Sequence, residues 1–405
     1  MAQAQRCVAW HGFGHDRLAL RRGGHDNREV YWNFEARLSS RPGSPPQWVV
    51  GLNHYVSDED QILSTLVGPG GLDDFASAPL QSSRSRDYAA FGQLTVPLGQ
   101  RLRVTGGLRY ERARREKNQV AGALDLGPAG VFTFAAEDLQ DDYEELLPRI
   151  SLDWRPVDNV LLYSSASKGW IPGGFNLGAT SSAVTGDFSR YGAETLWSYE
   201  VGTKLQLFDK RLLLSGAAFI IEAQDWQEYN VLVNDQGQVL STNLITSNAA
   251  IRSRGFELEA TGKVTPQIEL HASFGYVDSK YTDYRFSATQ DHTGNKVKLV
   301  PEYDASLAVS WRPWKGLLLR GEGNAAGKTY LNAENLAVQD PVLLLNAQIA
   351  WETDLWTVRF YVDNLTNRRV FTSSAYSNFA MGYDGTYYAG VGQPRVGGLQ
   401  LSYKW

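Results

Sequence analysis

The last residues of the chain alternate strictly. Leu399, Leu401, Tyr403 and Trp405 fall on one face, and Gln400, Ser402 and Lys404 fall on the other. A period of two is the signature of a β-strand. The apolar stripe persists to an aromatic at the final residue, whereas the termini of soluble domains usually fray. A strand with one face on lipid and its last ring at the membrane interface accounts for both features. An edge strand of a soluble sheet accounts for the alternation alone.

The same dyad recurs upstream. Trp356, Val358, Phe360 and Val362 oppose Thr357, Arg359, Tyr361 and Asp363. Ile268, Leu270, Ala272, Phe274 and Tyr276 oppose Glu269, His271, Ser273 and Gly275. Leu319, Gly321 and Gly323 oppose Arg320, Glu322 and Asn324. No run approaches the ~18 apolar residues of a membrane helix. A barrel needs none, because each strand spends only alternate residues on lipid. The net charge of −5 gives no nucleic-acid footprint. The single cysteine, Cys7, excludes an internal disulfide.

Between the alternating stretches the chain turns in two ways. Phe34 to Ser39 and Trp48 to Tyr55 flank a Pro- and Gly-rich turn. Tyr88 to Pro97 pairs with Arg101 to Arg109, and Leu147 to Trp154 with Val160 to Ser167. Trp197 to Phe208 pairs with Arg211 to Ile221, and Ser253 to Thr261 with Ile268 to Val277. Tyr303 to Trp311 pairs with Leu317 to Gly323, and Val342 to Trp351 with Trp356 to Val362. With the closing strand this predicts fifteen strands, seven short turns on one side and seven longer segments on the other, such as 57–86. Residues 5–22 offer a sixteenth strand. Short turns on one rim and long loops on the other are the layout of an outer-membrane barrel, with the short turns periplasmic. Trp48, Trp154, Trp311, Trp314, Trp351, Trp356 and Trp405, seven of the twelve tryptophans, lie beside a short turn or at the terminus. Indole prefers the membrane–water interface. A soluble all-β sandwich or propeller would spread these rings through its core.

Several segments resemble the C-terminal part of a TonB-dependent outer-membrane receptor. Phe34-Glu35-Ala36-Arg37-Leu38-Ser39-Ser40 and Trp48-Val49-Val50-Gly51-Leu52 resemble a mid-barrel hairpin of that family. Ser167-Lys168-Gly169-Trp170-Ile171-Pro172-Gly173-Gly174-Phe175-Asn176 is similar to its Gly-Gly-Phe-Asn segment. Trp197-Ser198-Tyr199-Glu200-Val201-Gly202-Thr203-Lys204 and Arg254-Gly255-Phe256-Glu257-Leu258-Glu259 resemble two further strands. Val362-Asp363-Asn364-Leu365-Thr366-Asn367 and Gly392-Gln393-Pro394-Arg395 resemble its final-strand signature. The segments span about residues 30–405 in family order.

The resemblance implies an all-β transmembrane antiparallel barrel of twenty-two strands around an N-terminal plug. It also implies energy-dependent uptake of a ferric siderophore or similar large solute, driven by the TonB complex, and insertion by the barrel-assembly machinery. Here about 15–16 of those strands are readable, as barrel over residues 30–405. Residues 1–29 form an unassigned leader. No signal peptide, plug or TonB-box-like segment is visible, so the chain reads as a truncated form, with a plugless passive pore or scaffold as the alternative.

Trp170, Phe175 and Asn176, at the start of a long loop, are candidate ligand contacts or a Gly-rich loop base with rim aromatics. Tyr376, Phe379, Tyr383, Tyr387 and Tyr388 in the last loop offer broad, rigid contact area for a bulky solute. Lys204, Glu257, Glu259, Arg320, Glu322, Arg359 and Asp363 are expected to face the lumen, lining a substrate path or simply pairing and hydrating the wall. Glu137, Asp138, Asp141, Asp142, Glu144 and Glu145 stand opposite Arg112, Arg114, Arg115 and Lys117 across one loop. They read as a self-paired loop, or as sites for a cation and for lipopolysaccharide phosphates. His11, His15 and His25 match no metal-ligand spacing, so neither metal nor cofactor is expected. No nucleophile, zincin or phosphate-loop motif is present, and the chain does not read as an enzyme.

Overall fold

The computed structural model describes residues 3–10, 23–41, 43–67, 74–77, 81–125, 131–134, 136–176, 189–233, 239–285, 290–376 and 387–405. Side chains are described within 28–60, 81–122, 136–176, 189–229, 245–285, 290–373 and 389–405, Pro42 excepted.

Every element of the described chain is a strand, turn or loop, and one 17-stranded sheet dominates. Setting aside the short flap Asp74–Ser77, sixteen wall strands follow one another in chain order. They are β1 Gln3–Trp10, β2 Gly23–Ser39, β3 Gln47–Val67 and β4 Gln81–Leu98. Next come β5 Leu102–Gln119, β6 Glu137–Val157, β7 Val160–Ile171 and β8 Glu194–Leu207. Then follow β9 Leu212–Val233, β10 Val239–Lys263, β11 Ile268–Tyr284 and β12 Tyr303–Trp311. The last four are β13 Leu317–Ala326, β14 Val342–Glu352, β15 Trp356–Asp363 and β16 Val396–Tyr403. Each pairs antiparallel with the next, so the sheet is a simple meander. Among the described residues no pairing joins β16 back to β1.

All seven predicted hairpins form. The sixteenth strand offered by residues 5–22 lies at Gln3–Trp10, with Trp10 opposite Arg28. The strands nearest the long loops run further than expected. The polar segment 57–86 contains the ends of β3 and β4, whose ladder continues to Gln61 opposite Gln81. The 18 residues of β5 extend ~60 Å at ~3.3 Å each, ~45 Å along the normal at a ~40° tilt, well beyond the ~25 Å apolar band of such a wall. The upper strand halves therefore stand in water, and charged pairs such as Arg86–Glu116 at 2.9 Å replace apolar neighbours there.

The two faces of the wall differ in the way the alternation requires. Leu258, Leu307, Phe360 and Leu399 are exposed on one face. All seven predicted rim tryptophans are exposed as well. Trp356 packs on Tyr403 with ring centroids 4.5 Å apart. A second aromatic belt, including exposed Trp32, Tyr88, Tyr110, Trp197 and Tyr199, lies higher. Trp197 stands ten residues above Leu207, ~33 Å along the strand and ~25 Å along the normal for a ~40° tilt. The two belts thus bracket one bilayer thickness. The buried apolar cluster sits toward the long-loop end instead: Ala223, Ala249, Ile251, Tyr281, Tyr284, Val297 and Ala333.

Leu258 lies near mid-height on the apolar face, and its neighbour Glu257 lies on the other. Leu258→Arg should cost about 2–4 kcal/mol of barrel stability in lipid, and Glu257→Arg less than about 1 kcal/mol. Urea unfolding in phospholipid vesicles reads this difference; equal costs would mean that the apolar face does not meet lipid.

Candidate ligand vestibule

The Gly-Gly-Phe-Asn motif forms the base of the loop between β7 and β8. Gly173 and Gly174 are buried and pass directly beneath tyrosine rings. A Cβ on Gly173 would lie 2.6 Å from Cζ of Tyr143, and one on Gly174 would lie 2.5 Å from the Tyr191 hydroxyl. Phe175 pairs with Arg190, whose guanidinium lies 5.3 Å from the Phe175 ring centroid. Trp170 is half-buried on β7, opposite Thr195.

Asn176 is 3% exposed, and its side chain is committed to the backbone of β10. Its Nδ2 donates to the Ile245 carbonyl at 2.8 Å, and its Oδ1 accepts from the Ile245 N–H at 2.7 Å. Its own carbonyl accepts from Nζ of Lys117 at 2.8 Å. Lys117, on β5, is itself buried and paired with Glu137 at 2.8 Å. One asparagine therefore bridges strands that are far apart in the wall. Arg190 pairs with Asp141, and the Gly192 N–H donates to Ser247 Oγ at 2.6 Å. Burial, and the nearby Tyr229, raise the Tyr191 phenol above its ordinary pKa.

The acidic and basic runs face each other as a ladder. Arg112 meets Asp142 at 3.4 Å, Arg115 pairs with Asp87 on β4, and Tyr110 donates to Glu144 at 2.6 Å. Glu145 accepts from Lys168 at 2.8 Å. An open groove of about 740 Å³ follows the ladder, lined by Arg28, Asp58, Arg84, Glu116 and Asp138 among others. Most of these charges are neutralised by a neighbour, and the partly exposed pairs each contribute little.

Lys204, Glu257, Glu259, Arg320, Glu322, Arg359 and Asp363 all occupy the face opposite the apolar stripe. Lys204, Glu257, Glu259 and Asp363 are exposed there. Arg320 and Glu322 pair at 3.0 Å, with Asn324 donating to Glu322 at 2.8 Å. Arg359 donates to Gln400 at 3.3 Å. The histidines gain partners too. His271 contacts Thr261 at 2.8 Å, and His54 stacks on Tyr88 at 4.3 Å. His11 and His15 lie outside the described residues, as does the side chain of His25.

In the last loop, Tyr376 pairs with Tyr387, and Ala375 with Tyr388, along the backbone. Phe379 and Tyr383 lie outside the described residues. The base of this loop is clamped by Asn364, which is 5% exposed and left-handed at φ 49°. Its amide donates to the Arg368 carbonyl at 2.8 Å and the Gln393 carbonyl at 3.3 Å. The Arg395 N–H donates to Asn367 Oδ1 at 2.9 Å. The two halves of the final-strand signature, 362–367 and 392–395, are therefore one structural unit.

Residues 10–365 match the family model described as TonB dependent receptor-like, beta-barrel. The chain belongs to this family, and it is a Gram-negative outer-membrane protein. It is 26% identical over 323 residues to the pesticin receptor of Yersinia pestis, covering 76% of this chain and 45% of that one. It is 26% identical over 299 residues to the metal-pseudopaline receptor CntO of Pseudomonas aeruginosa, covering 74% and 37%. Its fold matches the ferric yersiniabactin uptake receptor FyuA from Yersinia pestis with a TM-score of 0.76 and 20% identity, over 99% of this chain and 57% of that chain. The siderophore receptor PiuA from Acinetobacter baumannii matches with a TM-score of 0.74 and 16% identity, over 94% and 57%. The chain thus spans less than half the length of these curated relatives.

The glycines beneath Tyr143 and Tyr191 generate a test. Gly173→Ala should free the β7–β8 loop while leaving the wall intact. Limited proteolysis should then cut within residues 172–193 about tenfold faster, the equivalent of losing one or two hydrogen bonds, with unchanged heat-modifiable migration of the barrel. Unaltered cleavage would mean that the close approach of Gly173 to the Tyr191 carbonyl and the Tyr143 ring does not hold the loop.

Proposed function

We propose that this chain supplies most of the wall and the ligand-recognising loops of a receptor that takes up a ferric siderophore or similar large solute, with energy from the TonB complex. The family match over residues 10–365 carries this reading. Support comes from relatives named as a metal-pseudopaline receptor and as a ferrichrome transporter. The ligand would meet Trp170 and Phe175 on the β7–β8 side. From the last loop it would also meet Tyr376, Phe379, Tyr383, Tyr387 and Tyr388, residue types whose rings suit a broad chelate. Asn176 would act by holding the loop base in shape. Lys204, Glu257, Glu259, Arg320, Glu322, Arg359 and Asp363 would line the lumen below.

Two further partners follow from the wall. The exposed aromatic belt with Arg84 and Arg112 above it suits outer-membrane lipid and the phosphates of lipopolysaccharide. The C-terminal strand, with Leu399, Leu401 and Tyr403 exposed, suits recognition by the barrel-assembly machinery. A passive pore is the second reading, favoured by the exposure of Lys204, Glu257 and Glu259 on the polar face.

Uptake of iron-55 loaded onto a panel of hydroxamate, catecholate and carboxylate siderophores separates these readings. In a host stripped of its own receptors, uptake of one chelate should require TonB. Tyr387→Ala with Tyr388→Ala should weaken its binding about tenfold or more, roughly one to two buried aromatic contacts. Uptake indifferent to TonB, together with steady conductance in planar bilayers, would instead establish the pore.

A further inference from the structure

Two consecutive residues of β9, Gln227 and Glu228, stand where the strand is least regular. Between Ala223 and Trp226 β9 carries one residue more than β10, and between Trp226 and Glu228 the excess reverses. Asp225 takes a left-handed conformation at φ 53°, as the extra residue of such a bulge often must. Consecutive strand residues project to opposite sides, so the displaced step can serve two different loops.

Gln227 holds the β7–β8 loop. Its Nε2 donates to the Pro172 carbonyl at 3.0 Å and the Gly192 carbonyl at 3.1 Å, which lie on the two ends of that loop. Its N–H donates to Oε2 of Glu194, a buried carboxylate where the loop enters β8. Glu228 holds the β11–β12 loop. It is 3% exposed and paired with Lys298. It also accepts from the Tyr281 hydroxyl at 2.7 Å and from Nε1 of Trp226 at 3.3 Å. Lys298 returns a bond to the Tyr229 carbonyl at 3.1 Å.

From Lys298 the connection continues. The Leu299 N–H donates to the Tyr330 carbonyl at 2.7 Å. Lys296 and Asn335 exchange bonds at 2.8 and 2.9 Å, and Asn295 donates to the Ala333 carbonyl at 2.9 Å. The β13–β14 loop thereby joins the β11–β12 loop. Gln339 of that loop accepts from the Phe371 N–H at 2.6 Å, at the foot of the last loop. The β7–β8, β11–β12, β13–β14 and β15–β16 loops are thus fastened in series. Among the described residues Gln227–Glu228 bonds to both the first and the second of these, through three bonds to the β7–β8 loop and its entry into β8 and through the buried Glu228–Lys298 pair. The neighbouring step Ser247–Asn248 of β10 adds bonds to the Gly192 N–H and the Arg285 carbonyl.

We propose that Gln227 and Glu228 are paired positioning residues, a joint through which the β7–β8 loop and the later loops order together around a bound solute. The role at the solute rests on the vestibule reading above; the coupling itself needs neither ligand nor transport to be measured.

Hydrogen exchange of the full chain in lipid nanodiscs tests the joint. The amides of Asn176 and Gly192 report the first loop, and those of Val297 and Leu299 the second. Glu228→Gln removes the charge that pairs with Lys298, and Gln227→Ala removes both carbonyl contacts. Each change should accelerate exchange about tenfold at all four amides, the effect of losing one to two hydrogen bonds. Amides of Leu258 and Phe360 in the lower wall should keep their rates. Acceleration confined to the loop that each side chain touches would overturn the joint. If Glu228→Gln also accelerates the lower wall, Lys298→Met decides from the loop side. Faster exchange at Gly192 upholds the coupling, and an unchanged rate there rejects it.

Discussion

In hydrocarbon no water is at hand to satisfy a backbone N–H or C=O, so each must find its partner within the wall. That constraint determines the rest of the architecture. It demands uninterrupted ladders from strand to strand, and the described meander supplies them from β1 through β16. Ladders orient side chains alternately, so one face of each strand is committed to lipid and the other is released for polar chemistry. Leu258 beside Glu257, and Phe360 beside Arg359, are local expressions of that division.

Above the bilayer the constraint changes. Water is present, but the loops must still be held in one shape. The structure does this with buried polar side chains, each fully committed. Asn176 on Ile245, Lys117 between Glu137 and the Asn176 carbonyl, Glu228 among Lys298 and Tyr281, and Asn364 across the last loop are the principal clamps. Leaving such a group unpaired costs about 1–3 kcal/mol, more when it is charged. Networks of this kind therefore hold one loop arrangement against many others. The Asp291 carboxyl in the β11–β12 loop shows the same habit at the surface, held below its usual pKa by hydrogen bonds from Thr293.

How much of this was legible follows from range. The seven hairpins and the tryptophan belt were readable because periodicity and interfacial preference are local properties of the chain. The upper halves of β3 to β6 were not, because there both faces are polar and the apolar stripe that marks a strand disappears. Thr65 to Val67 still pair with Asp74 to Ala76, inside a stretch that reads as loop. The face of each lumen candidate was readable from parity, whereas its partner was not. Arg112 and Asp142 were visibly opposite in charge, but only the register places them together. The clamps were hidden for a different reason. Lys117 and Asn176 lie 59 positions apart, and Asn176 and Ile245 lie 69 apart. Gln227 and Glu228 carry no local signal at all, since a strand interior gives no hint of its own bulge.

One face of this sheet meets lipid and the other meets water. Spin labels at adjacent positions on three strands test this division, in a Cys7→Ser background reconstituted in bilayers. Labels at 307, 360 and 399 should collide mainly with dissolved oxygen, and labels at 306, 359 and 400 mainly with a water-soluble nickel chelate. This preference should switch at every step along each strand. Equal accessibility of both faces to the nickel chelate would contradict it.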